Sequence, residues 1–270
     1  MATRRPVITL LTDFGGAEPY AAAMKGVIVS IQPEALIVDI THEVPPHDVP
    51  AAAFILHGCY RQFPRGTIHV AVVDPGVGGS RLPILLSTAD YHFVGPDNGI
   101  FSYILAGEEM RGCHAITAGH YMLSPVSSTF HGRDVFAPVA AYLSRGVSPD
   151  SFGEPFDRPA RFEIPRPQVL SAGRIRAAVL HVDRFGNVVL GLTAAELDQA
   201  APPGGAGPRL RMAGGGVEPS GLRETYEGAP EGKPFFLFGS TGYLEISANR
   251  ASAAAMTGLK RGDFVEIEIG

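Results

Sequence analysis

The residues best able to do chemistry stand in short, separated strings. Asp74 closes the apolar run His69-Val70-Ala71-Val72-Val73, and Arg81 follows past the turn Gly76-Val77-Gly78-Gly79. A carboxylate and a guanidinium joined by such a turn can meet as a bidentate pair. That pair can simply be a structural ion pair, and spacing alone does not settle whether it has a further role. His131 lies in Ser128-Thr129-Phe130-His131-Gly132-Arg133-Asp134 just before an expected helix, as a cap-region residue or a core histidine satisfied by backbone. Asp13 and Asp183 each sit where a turn follows an apolar run, a setting that suits Asx turns as well as ligands. His42, Glu43 and His47 do not make a helical zinc site: the histidines are five apart, and Pro45-Pro46 forbids the helix. They read as a loop with solvated or locally bonded histidines. The glycine turn at 76–79 is followed by another strand-like run, Ser80 to Ser87, where a dinucleotide fingerprint needs a helix. It is a flexible turn or a loop that closes on some other ligand.

The chain that must position these groups has 270 residues, 45% hydrophobic and 18% charged, with a net charge of −5. That excludes a disordered tail protein and leaves no general footprint for nucleic acid, so a small partner is expected. The length suits one large domain or two modest ones, with two expected. Cys59 and Cys113 form neither a C-x-x-C motif nor a disulfide framework, which fits a reducing compartment, the cytoplasm. The apolar run before Asp13 is too short for a secretory signal, and no stretch reaches a membrane span.

Val7 to Leu11 reads as a strand covered on both faces, Glu18 to Ile31 as a helix stopped by Pro33, and Ala35 to Ile40 as a second strand. Asp48 to Phe63 reads as a helix and Thr67 to Asp74 as a third strand. This alternation predicts a mostly parallel sheet with helices on its faces, and it places Asp13 and Asp74 at strand C-terminal ends, where open α/β sheets bind ligands. Pro83 to Ser87 and His92 to Val94 are further strands, and Arg133 to Arg145 is a helix. A proline-rich linker over 154–169 separates an α/β domain, 1–153, from a smaller, mainly β domain, 170–270. In the latter, Arg174 to Val182, Val188 to Leu192, Phe235 to Phe238, Tyr243 to Ala248 and Phe264 to Ile269 read as strands. Pro202 to Gly207 and Gly214 to Gly216 read as exposed loops.

Taken in order, ITLLTDFG, IVDITHEVPPHDV, HVAVVDPGVGGSR, FVGPDNGI, STFHGRDVFAPVAA, HVDRFGNVVL and GSTGYLEISAN resemble the S-adenosyl-L-methionine (SAM) hydrolase family, the SAM hydroxide adenosyltransferases, relatives of fluorinase and chlorinase. The resemblance runs from about Val7 to Gly262. It implies an α/β N-terminal domain with a C-terminal β-barrel, and a homotrimer with inter-subunit active sites. It also implies hydrolysis of SAM to adenosine and L-methionine by in-line attack of water or hydroxide on ribose C5′, without cofactor or metal. The family's catalytic trio falls on Asp74, Arg81 and His131. Asp13 matches the carboxylate for the ribose hydroxyls and Asn187 the amide that reads adenine. Ser240, Tyr243, Glu245 and the Ala248 backbone complete the nucleoside pocket, while Asp183 and Ser240 are candidates for the methionine end. The halogenating relatives differ at the aspartate and histidine positions, carry a serine where Gly132 stands and an arginine where Thr241 stands, and hold an insertion between the positions of Arg81 and Phe93 that this chain lacks. A bulkier family residue also stands where this chain has Ala248. The alternatives are a SAM-dependent halogenase using this pocket and a non-catalytic adenosine- or SAM-binding protein.

Overall fold

A computed structural model describes residues 5–202, 210–212 and 218–270, and the chain falls into two compact units, 1–163 and 164–270. The first unit runs β1 (Val7–Thr12), α1 (Tyr20–Ile31), β2 (Leu36–Thr41), α2 (Val49–Cys59), β3 (Ile68–Val72), β4 (Pro83–Ser87), β5 (His92–Pro96), α3 (Ser102–Gly107), β6 (Gly112–Ala115) and α4 (Ala137–Ser144). Its six strands lie in the order β2-β1-β3-β5-β4-β6. The first four are mutually parallel, and β4 runs antiparallel to both its neighbours, β5 and β6.

The continuous apolar runs of β1 and β3 follow from cover on both faces. Ile8, Leu10, Val70 and Val72 point into one core with Met24 and Ile28 of α1 and with α4, whereas Leu11, Ala71 and Val73 point into the other with Ala52 and Leu56 of α2. Helices on opposite faces and the order β2-β1-β3 make the crevice between β1 and β3 a topological switch point, the usual ligand position of such sheets.

The local signals act as the sequence suggests, with shifted ends. Asp48 caps α2 by accepting from the Ala51 amide at 2.9 Å, a contact of about 1 kcal/mol in similar caps. The helix expected to reach Phe63 ends at Cys59 and tightens into a 3₁₀ turn, Tyr60–Gln62. The helix expected from Arg133 begins as a π-helical turn, Gly132–Phe136, before α4. Such wide turns recur at functional sites.

The second unit holds β7 (Gln168–Ser171), β8 (Arg174–Val182), β9 (Val188–Thr193), α5 (Ala194–Ala200), β10 (Leu210–Met212), β11 (Pro234–Phe238), β12 (Tyr243–Ala248), α6 (Ala253–Thr257) and β13 (Phe264–Ile269). These strands form a nearly closed antiparallel barrel in the order β10-β13-β8-β9-β12-β11, with β7 beside β8. In β13, Val265, Ile267 and Ile269 face the core, while Glu266 on the other face pairs with Arg174 and Arg176. Apart from Pro202, the glycine-rich stretches at 202–207 and 214–216 lie outside the described residues. Among the described residues, no helix is long and apolar enough to cross a membrane.

Candidate active site

Asp74 and Arg81 meet because the chain between them turns on glycine. Val73 is fully buried after β3, and the Asn98 side-chain amide donates to its carbonyl at 2.8 Å, so the loop leaves the sheet at a fixed point. Gly78 adopts φ +74°, and a Cβ there would lie 2.2 Å from the Ser128 carbonyl oxygen. Only glycine permits that conformation and approach together. Folded back by this turn, Arg81 donates from Nε to Asp74 Oδ1 at 2.9 Å and from Nη2 to Asp74 Oδ2. Both side chains are more than nine-tenths buried, and the Arg81 guanidinium also lies 5.6 Å from the centre of the Phe136 ring.

His131 joins the pair through Nδ1, 2.8 Å from Arg81 Nη2. A guanidinium only donates, so Nδ1 is the acceptor and the ring proton resides on Nε2. Burial first, and then the Arg81 charge, hold this imidazole below its ordinary 6.5, against the opposite pull of Asp74 and Asp134. His131 is therefore neutral at pH 7. Arg81 Nη1 is buried without a hydrogen-bond partner among the described residues, which leaves a donor for a further acceptor.

A cleft of about 280 Å³ opens beside this cluster, and Asp13, Asp74 and His131 line it. Asp13 is fixed from two directions. Behind it, Thr12 Oγ1 is hydrogen-bonded to His42 Nδ1 at 2.9 Å, and the Gly15 amide donates to the His42 carbonyl at 2.7 Å. In front, Asp13 Oδ2 accepts the His47 backbone N–H at 2.9 Å, leaving Oδ1 for another donor. Phe14, Tyr20 and Phe130 form a wall of edge-to-face rings with centroids 5.2–5.8 Å apart. His47 also lines the cleft, with the unusual backbone φ of +66° for a residue with a side chain. Sequence reading placed it in an undistinguished loop. The available signal was its position after a helix-forbidding Pro-Pro and before the α2 cap.

In the second unit, Asp183 organises its own turn. Its Oδ1 accepts the backbone N–H groups of Phe185 and Asn187 at 2.9 and 2.8 Å, and its Oδ2 accepts Asn187 Nδ2 at 2.8 Å. The Asn187 amide is thereby locked, with Oδ1 and one N–H left over. A cleft of about 560 Å³ is lined by Asn187 and Ala248, together with Phe185, Tyr226 and Arg250. Those last three escaped sequence reading, although Phe185 is an aromatic residue in a glycine turn and is 78% exposed. Ser240 stands in the exposed turn before β12, and Tyr243 and Glu245 lie on β12. None of the three lines this cleft. Glu245 is buried, and its carboxyl is raised above the ordinary range by that burial and by the nearby Asp183 charge.

Fold and site define a class: an α/β unit with an Asp–Arg–His cluster at its switch point, followed in the same chain by a β-barrel unit with an aromatic and amide cleft. The chain belongs to the SAM hydroxide adenosyltransferase family, whose N-terminal domain model matches residues 8–153 and whose C-terminal domain model matches residues 177–266. It is 37% identical to the (R)-S-adenosyl-L-methionine hydrolase of Thermus thermophilus, over 96% of this chain and 97% of that one. A fluorinase of Nocardia brasiliensis is more distant, at 26% identity over 99% and 98% of the two chains. Among solved structures, an uncharacterized conserved protein from Thermotoga maritima superposes with a TM-score of 0.89 at 32% identity, over 96% of this chain and 99% of that one.

Proposed function

We propose that this protein hydrolyses (R)-S-adenosyl-L-methionine to adenosine and L-methionine. The observation that carries this reading is the cluster in which one guanidinium grips Asp74 and donates to a neutral His131.

The chemistry follows from the charges. The sulfonium leaves as a neutral thioether, so no acid is needed to protonate it. The difficulty lies in the nucleophile, since water is weak and hydroxide is scarce at neutral pH. Arg81 and the Nε2–H of His131 supply donors that favour the hydroxide form of an oxygen held beside them, and the buried Asp74 carboxylate takes the departing proton and passes it to solvent. The oxygen then bonds to C5′ as the C5′–S bond breaks, with that bond's electron pair going to sulfur. Overall, SAM and water give adenosine, methionine and one proton. Alignment of oxygen, carbon and sulfur supplies several kcal/mol, and the rings of Phe14, Tyr20 and Phe130 offer the sulfonium cation–π contact of about 0.5–2 kcal/mol.

The free Oδ1 of Asp13 suits the ribose hydroxyls. In the second unit, the locked amide of Asn187 suits the adenine edge, and Phe185 and Tyr226 offer faces for a purine. Of the other positions that the family resemblance assigns to the nucleoside, Ala248 lines the cleft with Asn187, while Ser240, Tyr243 and Glu245 stand outside its lining; the resemblance puts Asp183 and Ser240 toward the methionine end. In this reading a domain 1–153 holds the reacting cluster and the ribose carboxylate, and a domain 170–270 beyond the linker at 154–169 holds the groups that read the base. We place the enzyme in the cytoplasm, where its two free thiols suit a reducing compartment, as a homotrimer with active sites between subunits.

Epimer choice has a geometric basis. Sulfur must lie in line with the oxygen and C5′, so the two epimers exchange the directions of the methyl and aminocarboxypropyl arms. A rigid aromatic wall therefore accepts one of them. Water is favoured over halide by the closer identity to hydrolases and by Gly132, where even a Cβ would lie 3.2 Å from Met24 Sδ and 3.3 Å from Phe130 Cε2. The test is product analysis after incubation with each resolved epimer, with and without chloride. Adenosine and methionine from the (R) epimer, unchanged by chloride, are expected. A 5′-chloro nucleoside would replace the reading with a halogenase, and bound adenosine without methionine release would replace it with a binding protein.

A further inference from the structure

The proposed mechanism gives no task to Asp134, yet this carboxylate is only 1% exposed and stands three residues beyond His131, in the π-helical turn. Its hydrogen bonds gather one segment. Asp134 Oδ2 accepts the Ser127 backbone N–H at 2.8 Å, its carbonyl accepts the Leu123 N–H at 2.9 Å, and its own N–H donates to the Phe130 carbonyl at 3.2 Å. The segment held in this way, 123–130, carries Ser128 onto Gly78 of the loop between Asp74 and Arg81, and carries Thr129 and Phe130 into the cleft. Arg133 closes the arrangement, donating to both oxygens of Asp134 at 2.6 and 2.9 Å while its guanidinium lies 5.0 Å over the Phe130 ring.

We infer that Asp134 is a positioning residue for the hydrolytic cluster: its buried carboxylate clamps segment 123–130 over the glycine loop and so fixes Arg81 and His131 relative to the cleft. This rests on the hydrolase reading above. Asp134 has no hydrogen bond to Asp74, Arg81 or His131, so it acts through the segment and through its charge. The charged and titratable groups around His131 are Asp74 and Arg81 from the glycine loop, Asp134 and Arg133 from its own turn, and Asp13 and His47 along the same cleft, while α1 presents the Tyr20 phenol and the neutral Met24. The Asp134 charge favours the imidazolium, so its removal moves the acid limb of kcat to lower pH.

Two variants separate the clamp from general stability. Asp134→Asn keeps an acceptor for the Ser127 amide but loses the charge, and Asp134→Ala loses both. We expect kcat to fall about tenfold in the first and about a hundredfold in the second, with adenosine Kd within about twofold of wild type, as for a cluster displaced from its working geometry. Asp134→Asn should also lower the acid-limb pKa, and hydrogen exchange of the 123–130 amides should quicken in Asp134→Ala. A merely structural role would lower kcat and the fraction of adenosine-binding protein together and leave the acid limb unmoved, overturning the inference, as would wild-type kinetics in both variants. If wild-type protein made no adenosine from SAM, the hydrolase reading would fall, while unchanged exchange in 123–130 would separately remove the clamp.

Discussion

The two clefts of this chain use aspartate in opposite ways. In the first unit, Asp74 is spent on a guanidinium that comes from beyond a glycine turn and also donates from Nη2 to a histidine from another part of the chain. In the second, Asp183 is spent on its own turn, where three bonds to Phe185 and Asn187 freeze an amide and display an aromatic ring. One carboxylate assembles charge, and the other assembles shape. Reaction needs groups whose electrostatics act on a nucleophile, whereas recognition of a nucleoside needs fixed donors, acceptors and flat faces; in the proposed reading the first unit holds the reacting cluster beside the ribose carboxylate Asp13, and the second unit offers the faces and the amide for the base.

That contrast breaks most visibly through the first cluster. His131→Ala and Arg81→Lys should each lower kcat by about 10²–10³, because each loses a donor aimed at the nucleophile while adenosine affinity stays near wild type. Steady-state kinetics beside adenosine titration checks this, and equal losses in both quantities would dissolve the division. Asp13→Asn should act the other way, weakening adenosine binding about tenfold by removing a charged acceptor while kcat at saturation changes little. Phe185→Ala should be milder, with several-fold weaker adenosine binding and unchanged kcat, as expected for about 1 kcal/mol of base stacking.

A pH profile sharpens the same comparison. His131 must be neutral to accept from Arg81, and its pKa lies below 6.5, so kcat should hold through neutrality and fall only as pH drops through that lowered value. Adenosine affinity, which depends on no group of that cluster, should not share the limb.

A separate effect concerns stability. His69 is fully buried, and burial pushes its imidazole down from 6.5 to about 3. The unfolded chain therefore binds a proton that the folded chain refuses between those values, and stability falls as pH drops from about 6.5 toward 3. His69→Phe should flatten that part of the Tm-versus-pH curve while losing the hydrogen bond to Thr9 Oγ1.

Much of this arrangement was legible because it follows from local chemistry. β4, β8, β12 and β13 stand where apolar and β-branched runs placed them, and the Asp74–Arg81 pair was readable from a strand end and a glycine turn. What stayed hidden depends on distant contacts or was overshadowed. β7 is fully exposed and owes its existence to pairing with β8 rather than to burial. The box Thr193-x-x-Glu196 that starts α5 was present in the sequence but lay behind the stronger strand signal of β9. His47 was weighed as a zinc ligand and read as a loop histidine, because its significance is a left-handed backbone and an N–H on Asp13, which residue type does not reveal. The union of Arg81 with His131 spans fifty positions, and only the folded chain brings it about.

The central claim is that an oxygen from water is delivered to C5′. Turnover of SAM in ¹⁸O-enriched water tests it most directly: adenosine should carry one heavy atom at its 5′ oxygen and methionine none. Unlabelled adenosine, or label in methionine, would contradict the account.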